Sequence, residues 1–233
     1  MRNIQEQAAW DAETGQLIEQ LGWESLGAEV VAKEDSGFMK FLNVFVGVFN
    51  KHFMDRYITT IGNKVYAPKG KCEWMTLAHE FVHMSDEYDR YGWMYKPMYL
   101  FPQILAFGAL GAFGAFWNIQ LLWCLLFLVF LAPLPAPGRA HIELRGYGMS
   151  LAVRYWQSQL PEDRNFGKFD EDLWIEWMAK QFTGPSYYFM YPFKESVQKS
   201  LRDILQEAKD GVLHSSIPIA KRIQEIVQRE LRD

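Results

Sequence analysis

The chain has 233 residues, with 24 Lys and Arg against 28 Asp and Glu and a formal net charge of −4. That length suits one medium domain with a real core, or one domain plus a membrane insert. The acidic balance argues against a nucleic-acid partner, which calls for a basic excess. Hydrophobic residues make up 49% of the chain, yet the mean hydropathy is −0.16, so the apolar content is concentrated in particular segments. Of the two cysteines, Cys72 lies in a polar stretch and Cys124 in an apolar one, a pattern unlike that of a disulfide-stapled secreted domain.

Met1 to Gln20 is polar and partly acidic, with no basic stretch leading into an apolar one, so no cleaved secretory signal is expected. Residues 3–22 read as a mixed helix with Ile4, Ala8, Leu17 and Leu21 as apolar points. From Phe38 to Phe53 the apolar residues Phe38, Phe41, Leu42, Phe45, Val48 and Phe49 recur at helical spacing, and Ser36-Gly37 can open the helix. The expectation is a core helix, with a membrane-surface helix as the alternative. Tyr57 to Ala67 is rich in β-branched and aromatic residues and reads as strand, with Gly62-Asn63 as a turn or bulge. Pro68 and Gly70 break it, and Cys72 to Tyr88 reads as a helix.

Residues 97–138 contain no charged side chain and are bracketed by Lys96 and Arg139. That is about twice the ~20 apolar residues of one helical crossing. Asn118 and Gln120 near the centre suggest a helical hairpin, with arms near Pro102–Phe116 and Leu121–Leu131. Gly108, Gly111 and Gly114 lie close to one face of the first arm, where small residues let the second approach. The arms are short, so a full crossing and a re-entrant pair both stay open. A hairpin buried in a soluble core or between subunits is the non-membrane alternative. Beyond the tract, helices are expected at Ala140–Gln157, Leu173–Phe182, Glu195–Lys209 and Ile217–Leu231, with a charged loop at Leu160–Glu171 and an aromatic cluster at Tyr187–Phe193. No internal repeat is evident.

The chemistry concentrates in His79-Glu80-Phe81-Val82-His83. Positions four apart share one helix face, so the two imidazoles can bind one zinc from the same side. Zinc lowers the pKa of a water it holds to near neutral, and Glu80, next to the first ligand, is placed to take the proton. A catalytic zinc site needs a third protein ligand. Glu143, at the start of the helix beyond the apolar tract, is the leading choice; His141 competes, and Asp86 and Asp89 are weaker options. Asp86, Glu87 and Asp89 otherwise read as a solvated face or as groups orienting a ligand histidine. Tyr187, Tyr188, Tyr191 and His214 are candidates for stabilising an oxyanion, although core packing is their ordinary role. Arg145 is a candidate carboxylate anchor.

Thr76-Leu77-Ala78-His79-Glu80-Phe81-Val82-His83 resembles the active-site helix of the zincin metallopeptidases. A later helix led by a Glu resembles the gluzincin branch. Two apolar segments between them resemble the membrane-embedded gluzincins, the HtpX-like heat-shock proteases and the CAAX prenyl endopeptidases. In those proteins an Ala-Asp pair closely follows the Glu, whereas Leu-Arg-Gly-Tyr follows Glu143. The resemblance covers roughly residues 58–156. It implies an edge strand within Tyr57–Ala67 that pairs with an extended substrate.

The expected fold is therefore α+β and mostly helical: a zincin-like catalytic domain with a small sheet and an inserted transmembrane or re-entrant hairpin. Residues 1–96 would carry the edge strand and the motif helix, 97–138 the membrane hairpin, and 139–233 the third-ligand helix and the amphipathic helices. The expected activity is zinc-dependent peptide hydrolysis at a membrane, with Zn2+ on His79, His83 and Glu143 and with Glu80 as the base. Its partners would be a peptide or protein substrate and membrane lipid. The alternative is a non-enzymatic anchoring or assembly protein with a vestigial or structural site. Basic residues at the tract's flanks (Arg90, Lys96, Arg139 and Arg145) place the site on the cytoplasmic side.

Overall fold

The structure is a computed structural model and describes residues 21–22, 24, 26–49, 51–160, 168–184 and 189–229. It is mostly helical with one three-stranded sheet. The helix expected over residues 3–22 lies almost wholly outside the described residues, as do Tyr187 and Tyr188. The chain forms two compact units.

The first unit comprises the chain up to Arg90, Arg145–Phe169 and the part from Ile204 onward. Its sheet has the order β1-β3-β2, with β1 at Glu29–Ala32, β2 at Thr59–Ile61 and β3 at Lys64–Ala67. The expected strand is a hairpin that turns at Gly62-Asn63, as that pair suggested, because Gly62 takes a left-handed φ of 60° that glycine adopts without strain. β2 runs antiparallel to β3, with Thr60 opposite Val65. β1, a strand the sequence reading did not anticipate, pairs with β3 in parallel, Val30 opposite Val65. Val65 and Ala67 of the central strand point into the core, following the two-residue alternation of a strand buried on one face.

Helix α1 (Gly37–Phe49) opens at Ser36, whose hydroxyl accepts a hydrogen bond from Met39 N at 3.2 Å. Its expected place in the core does not hold: Met39 is buried, but Phe38, Phe41 and Val44 are exposed. Helix α2 (Trp74–Ser85) follows Glu73, whose backbone is extended and whose carbonyl accepts from Leu77 N at 2.8 Å. One face of α2 carries Leu77, Ala78, Phe81 and Val82, all buried in the core cluster with Met149, Val153, Ile223 and Val227. Past Ser85 the coil widens into a π-helical stretch at Asp86–Tyr91.

The second unit comprises Tyr91–Leu144 and Asp170–Asp203. It holds α3 (Tyr95–Leu100), two long 3-10 helices, the start of α4 (Pro137–Ser158), α5 (Glu171–Thr183) and most of α6 (Lys194–Lys209). The 3-10 helices, Gln103–Phe116 and Ile119–Leu131, form the expected hairpin, although its arms are not α-helical. Ile142, Ile175, Met178, Phe182 and Leu201 are buried in this unit. Asp170 caps α5 by accepting from Leu173 N at 3.0 Å. The last helix, α7 (Ala220–Arg229), belongs to the first unit. Among the described residues, no single helix is long and apolar enough to cross a membrane, whereas Trp74–Leu100 and Gln103–Phe116, bent by 66°, pass that test as a pair.

Candidate metal centre

Because α2 buries Leu77, Ala78, Phe81 and Val82, its other face carries His79, Glu80 and His83. Both histidines are buried nonetheless, and their Nε2 atoms face each other at 2.9 Å. What covers them is α4, which passes close enough that a Cβ on Gly146 would lie 2.6 Å from His79 Nε2. Only a glycine lets the imidazole lie there. The next residue, Tyr147, packs edge-on against His79 with ring centroids 4.9 Å apart. On this same uninterrupted helix, Glu143 stands two residues before Arg145.

His79, His83 and Glu143 form a buried group whose ligand atoms all lie within 4.8 Å of one another. Zn–N bonds of about 2.0–2.1 Å at a tetrahedral angle separate two imidazole nitrogens by about 3.3 Å. A slight opening of the histidine pair therefore admits zinc, and a carboxylate completes three protein ligands. The donor set suits such an ion, and the spacing does once the histidine pair has opened.

Two hydroxyls hold the carboxylates. Thr60 Oγ1, on edge strand β2, donates to Glu80 Oε2 at 2.6 Å. The Tyr99 hydroxyl donates to Glu143 Oε1 at 2.6 Å. Tyr99 is held in turn by Arg139, whose Nε donates to the Tyr99 carbonyl at 3.0 Å. Neither hydroxyl was anticipated from sequence, nor was Gly146. Gly146 alone left a signal, a glycine inside a helix three residues after a candidate ligand.

The other candidates fall elsewhere. His141 is exposed, its Nε2 3.0 Å from the Tyr91 hydroxyl, and it lies outside the ligand group. Asp86 is not part of a solvated face: only 2% exposed, it takes a bidentate pair from Arg145, with Nε to Oδ2 and Nη2 to Oδ1 both 2.7 Å. Arg145 Nη1 also donates to the Ser216 carbonyl at 2.7 Å, so this arginine anchors Asp86 and the α7 side of the unit. Asp89 is exposed and accepts from Ser85 Oγ at 3.2 Å. Tyr191 lines a small cavity with His141, Phe182 and Ser196, and His214 is exposed.

The Glu80 charge acts on a buried cation. Lys33, just after β1, is fully buried. Its Nζ donates to the Phe53 carbonyl at 2.8 Å and sits 3.9 Å from the centre of the Phe53 ring. Burial pulls this ammonium down to about 8, opposed by the charges of Glu34 and Glu80.

Comparison of the chain with protein-family models, curated proteins and solved structures gives no match.

Proposed function

We propose that this protein is a membrane-attached, zinc-dependent metallopeptidase of the gluzincin type. The observation that carries the reading is the buried His79–His83–Glu143 group with Glu80 beside it on the same helix. His79, His83 and Glu143 would hold the ion. Zinc, when bound, polarises a carbonyl and brings the pKa of water to near neutral. Glu80 accepts the proton of the attacking water and returns it to the departing amine, so one carboxylate serves as base and then acid. Thr60 fixes the Glu80 carboxylate through its 2.6 Å hydrogen bond. Because Thr60 belongs to edge strand β2, an extended peptide added to that edge would pass close to the base. Lys96 and Arg139 at the foot of the apolar hairpin favour a cytoplasmic site.

The second reading is a non-enzymatic anchoring or assembly protein. It is favoured by the 2.9 Å approach of the two imidazoles, since a direct N–H···N bond pairs the two Nε2 atoms without a metal. Metal content and turnover separate the two. Purified protein is expected to carry about one zinc per chain, to lose it in the His79→Ala, His83→Ala double variant, and to cleave members of a peptide library. Glu80→Gln should retain zinc and lose 100-fold or more of the turnover, on the order expected for an acid–base group. Full zinc occupancy in the double variant, or undiminished cleavage by Glu80→Gln, rejects the peptidase reading.

A further inference from the structure

The first arm of the hairpin has a sequence period that matches its conformation. Gly108-Ala109-Leu110, Gly111-Ala112-Phe113 and Gly114-Ala115-Phe116 form a threefold Gly-Ala-Leu/Phe repeat, so an internal repeat is present after all. A 3-10 helix has three residues per turn, so residues i and i+3 eclipse. Over Gln103–Phe116 the repeat therefore sorts into columns. Gly108, Gly111 and Gly114 form one, and alanines form the second. The third is Phe107, Leu110, Phe113 and Phe116, all exposed.

The second arm answers with the same period. A Cβ on Gly108 would lie 2.7 Å from the Phe127 ring, one on Gly111 2.8 Å from Cys124 Sγ, and one on Gly114 2.5 Å from Leu121 Cδ1. Leu121, Cys124 and Phe127 are themselves three apart, so one column of each arm packs along the other. Backbone bonds at the arm ends have the same i+3 pattern: Leu105 N to Pro102 O, Trp117 N to Gly114 O and Ala132 N to Val129 O. Away from this seam the second arm exposes Trp123, Leu126 and Val129. The hairpin thus shows apolar side chains on its outward faces, and its backbone polar groups are satisfied within each arm, as hydrocarbon requires.

Length decides what can surround it. Fourteen residues rise about 28 Å at ~2.0 Å per residue in a 3-10 helix, but only about 21 Å at ~1.5 Å per residue in an α-helix. The hydrocarbon core of a bilayer is about 30 Å thick. The arms of 14 and 13 residues fall far short of that thickness as α-helices, but at ~2.0 Å per residue, about 28 and 26 Å, they nearly match it as 3-10 helices. Polar and charged groups occur only at the ends. At the foot, Arg139 Nη2 donates to Gln103 Oε1 at 3.2 Å and Gln103 Nε2 donates to the Leu134 carbonyl at 3.4 Å. At the tip, Asn118 Oδ1 accepts from Gln120 N at 3.0 Å, next to exposed Trp117, a residue pair suited to a membrane–water interface.

We propose that the hairpin crosses the full hydrocarbon thickness of a lipid bilayer as a pair of 3-10 helices joined along the Gly108–Gly111–Gly114 column, with its tip emerging on the far side. This inference rests on the membrane attachment proposed above and is independent of the metal site. Two measurements on the full-length chain test it. In the first, single cysteines placed from Ile104 to Phe116 in a Cys72→Ser, Cys124→Ala background are spin-labelled, and their oxygen accessibility is read in phosphatidylcholine–phosphatidylglycerol vesicles. Read at the non-glycine positions, accessibility should repeat every three residues, with maxima at 107, 110, 113 and 116 and lower values at 106, 109, 112 and 115. In the second, Trp93→Cys at the foot and Trp117→Cys at the tip, both highly exposed positions, are treated with an impermeant maleimide in sealed cells. One should react before the membrane is opened and the other only after. A period of 3.6, or foot and tip reacting from the same side, overturns the crossing while leaving membrane attachment intact. Chain that stays in the aqueous fraction without vesicle binding overturns both, and an oligomer in that fraction assigns the hairpin to a subunit interface.

Discussion

Thr60 and Glu80 are joined by a 2.6 Å hydrogen bond from hydroxyl to carboxylate, tying an edge strand to the proposed catalytic base. The bond holds the carboxylate in one orientation and leaves its other oxygen to meet water. Thr60→Val removes the donor at nearly constant volume. It is expected to lower kcat about 10-fold or more with zinc content unchanged, the size seen when a supporting partner is lost, and Thr60→Ser should restore most of the rate. Single-turnover kinetics beside metal analysis checks this; equal loss in the Val and Ser variants would mean that the hydroxyl is not what matters.

Gly146 controls the position of His79. Alanine there puts a methyl 2.6 Å from Nε2 and 2.7 Å from Cε1 of the ring, so the imidazole must move. Gly146→Ala should weaken zinc binding at least 10-fold while the chain stays folded. Gly148→Ala is the control: its methyl meets Ile204 at 2.7 Å, in the core and away from the ligands. It should lower the unfolding midpoint without a specific loss of metal. Chelator competition and chemical denaturation measure the two effects, and equal zinc affinity in Gly146→Ala and the parent refutes the cradle.

Tyr99 is expected to act as a positioning residue for Glu143. Its hydroxyl binds Oε1 at 2.6 Å, which directs the carboxylate while Arg139 holds the Tyr99 backbone. Tyr99→Phe should reduce zinc affinity about 10- to 100-fold and change the visible spectrum of the cobalt-substituted protein, which reports on ligand geometry rather than on fold. Glu143→Ala should be more severe, and His141→Ala should leave affinity unaltered. A normal cobalt spectrum in Tyr99→Phe removes the role.

The contrast between what the chain displays and what it conceals follows from the range of each interaction. His79, Glu80 and His83 are legible because a single helical turn sets their relation, and Glu143 because a carboxylate just past an apolar hairpin returns near the motif. Thr60 and Tyr99 are not legible and Gly146 shows only as a glycine inside a helix, since each acts through contacts 20 or more residues away. Asp86 sits among Glu87 and Asp89 and so resembles a solvated cluster; only its pairing with Arg145, 59 residues on, reveals it as buried. The arms were expected as a helical hairpin, without the kind of helix being specified, from the length of the uncharged tract and the polar residues at its centre. Without polar contrast, hydrophobic periodicity cannot distinguish three residues per turn from 3.6. The identity of the small residues carried the missing information, through the Gly-Ala-Leu/Phe triplet. The exposed Phe38 and Phe41 show the converse limit: an apolar stripe marks a face that avoids water without saying what covers it.

Lys33 gives the chain a pH signature separate from catalysis. Its ammonium is buried, and its folded-state value of about 8 lies below the ordinary 10.5. Below pH 8 the amine is charged in both states, and the folded state bears the full cost of burying it. Between about 8 and 10.5 the unfolded chain binds more protons than the folded one, so stability should rise with pH in that window and gain nothing further above it. Lys33→Met removes the titrating group but leaves the Phe53 carbonyl without its 2.8 Å donor, so the informative quantity is the slope, not the absolute difference. Urea midpoints of parent and Lys33→Met at pH 7 and pH 10 should differ by unequal amounts, with the parent gaining relative to the variant at the higher pH. Other lysines and tyrosines titrate in both proteins and cancel from the difference. Curves that stay parallel across this range would show that Lys33 titrates normally and that its burial exerts no electrostatic strain on the fold.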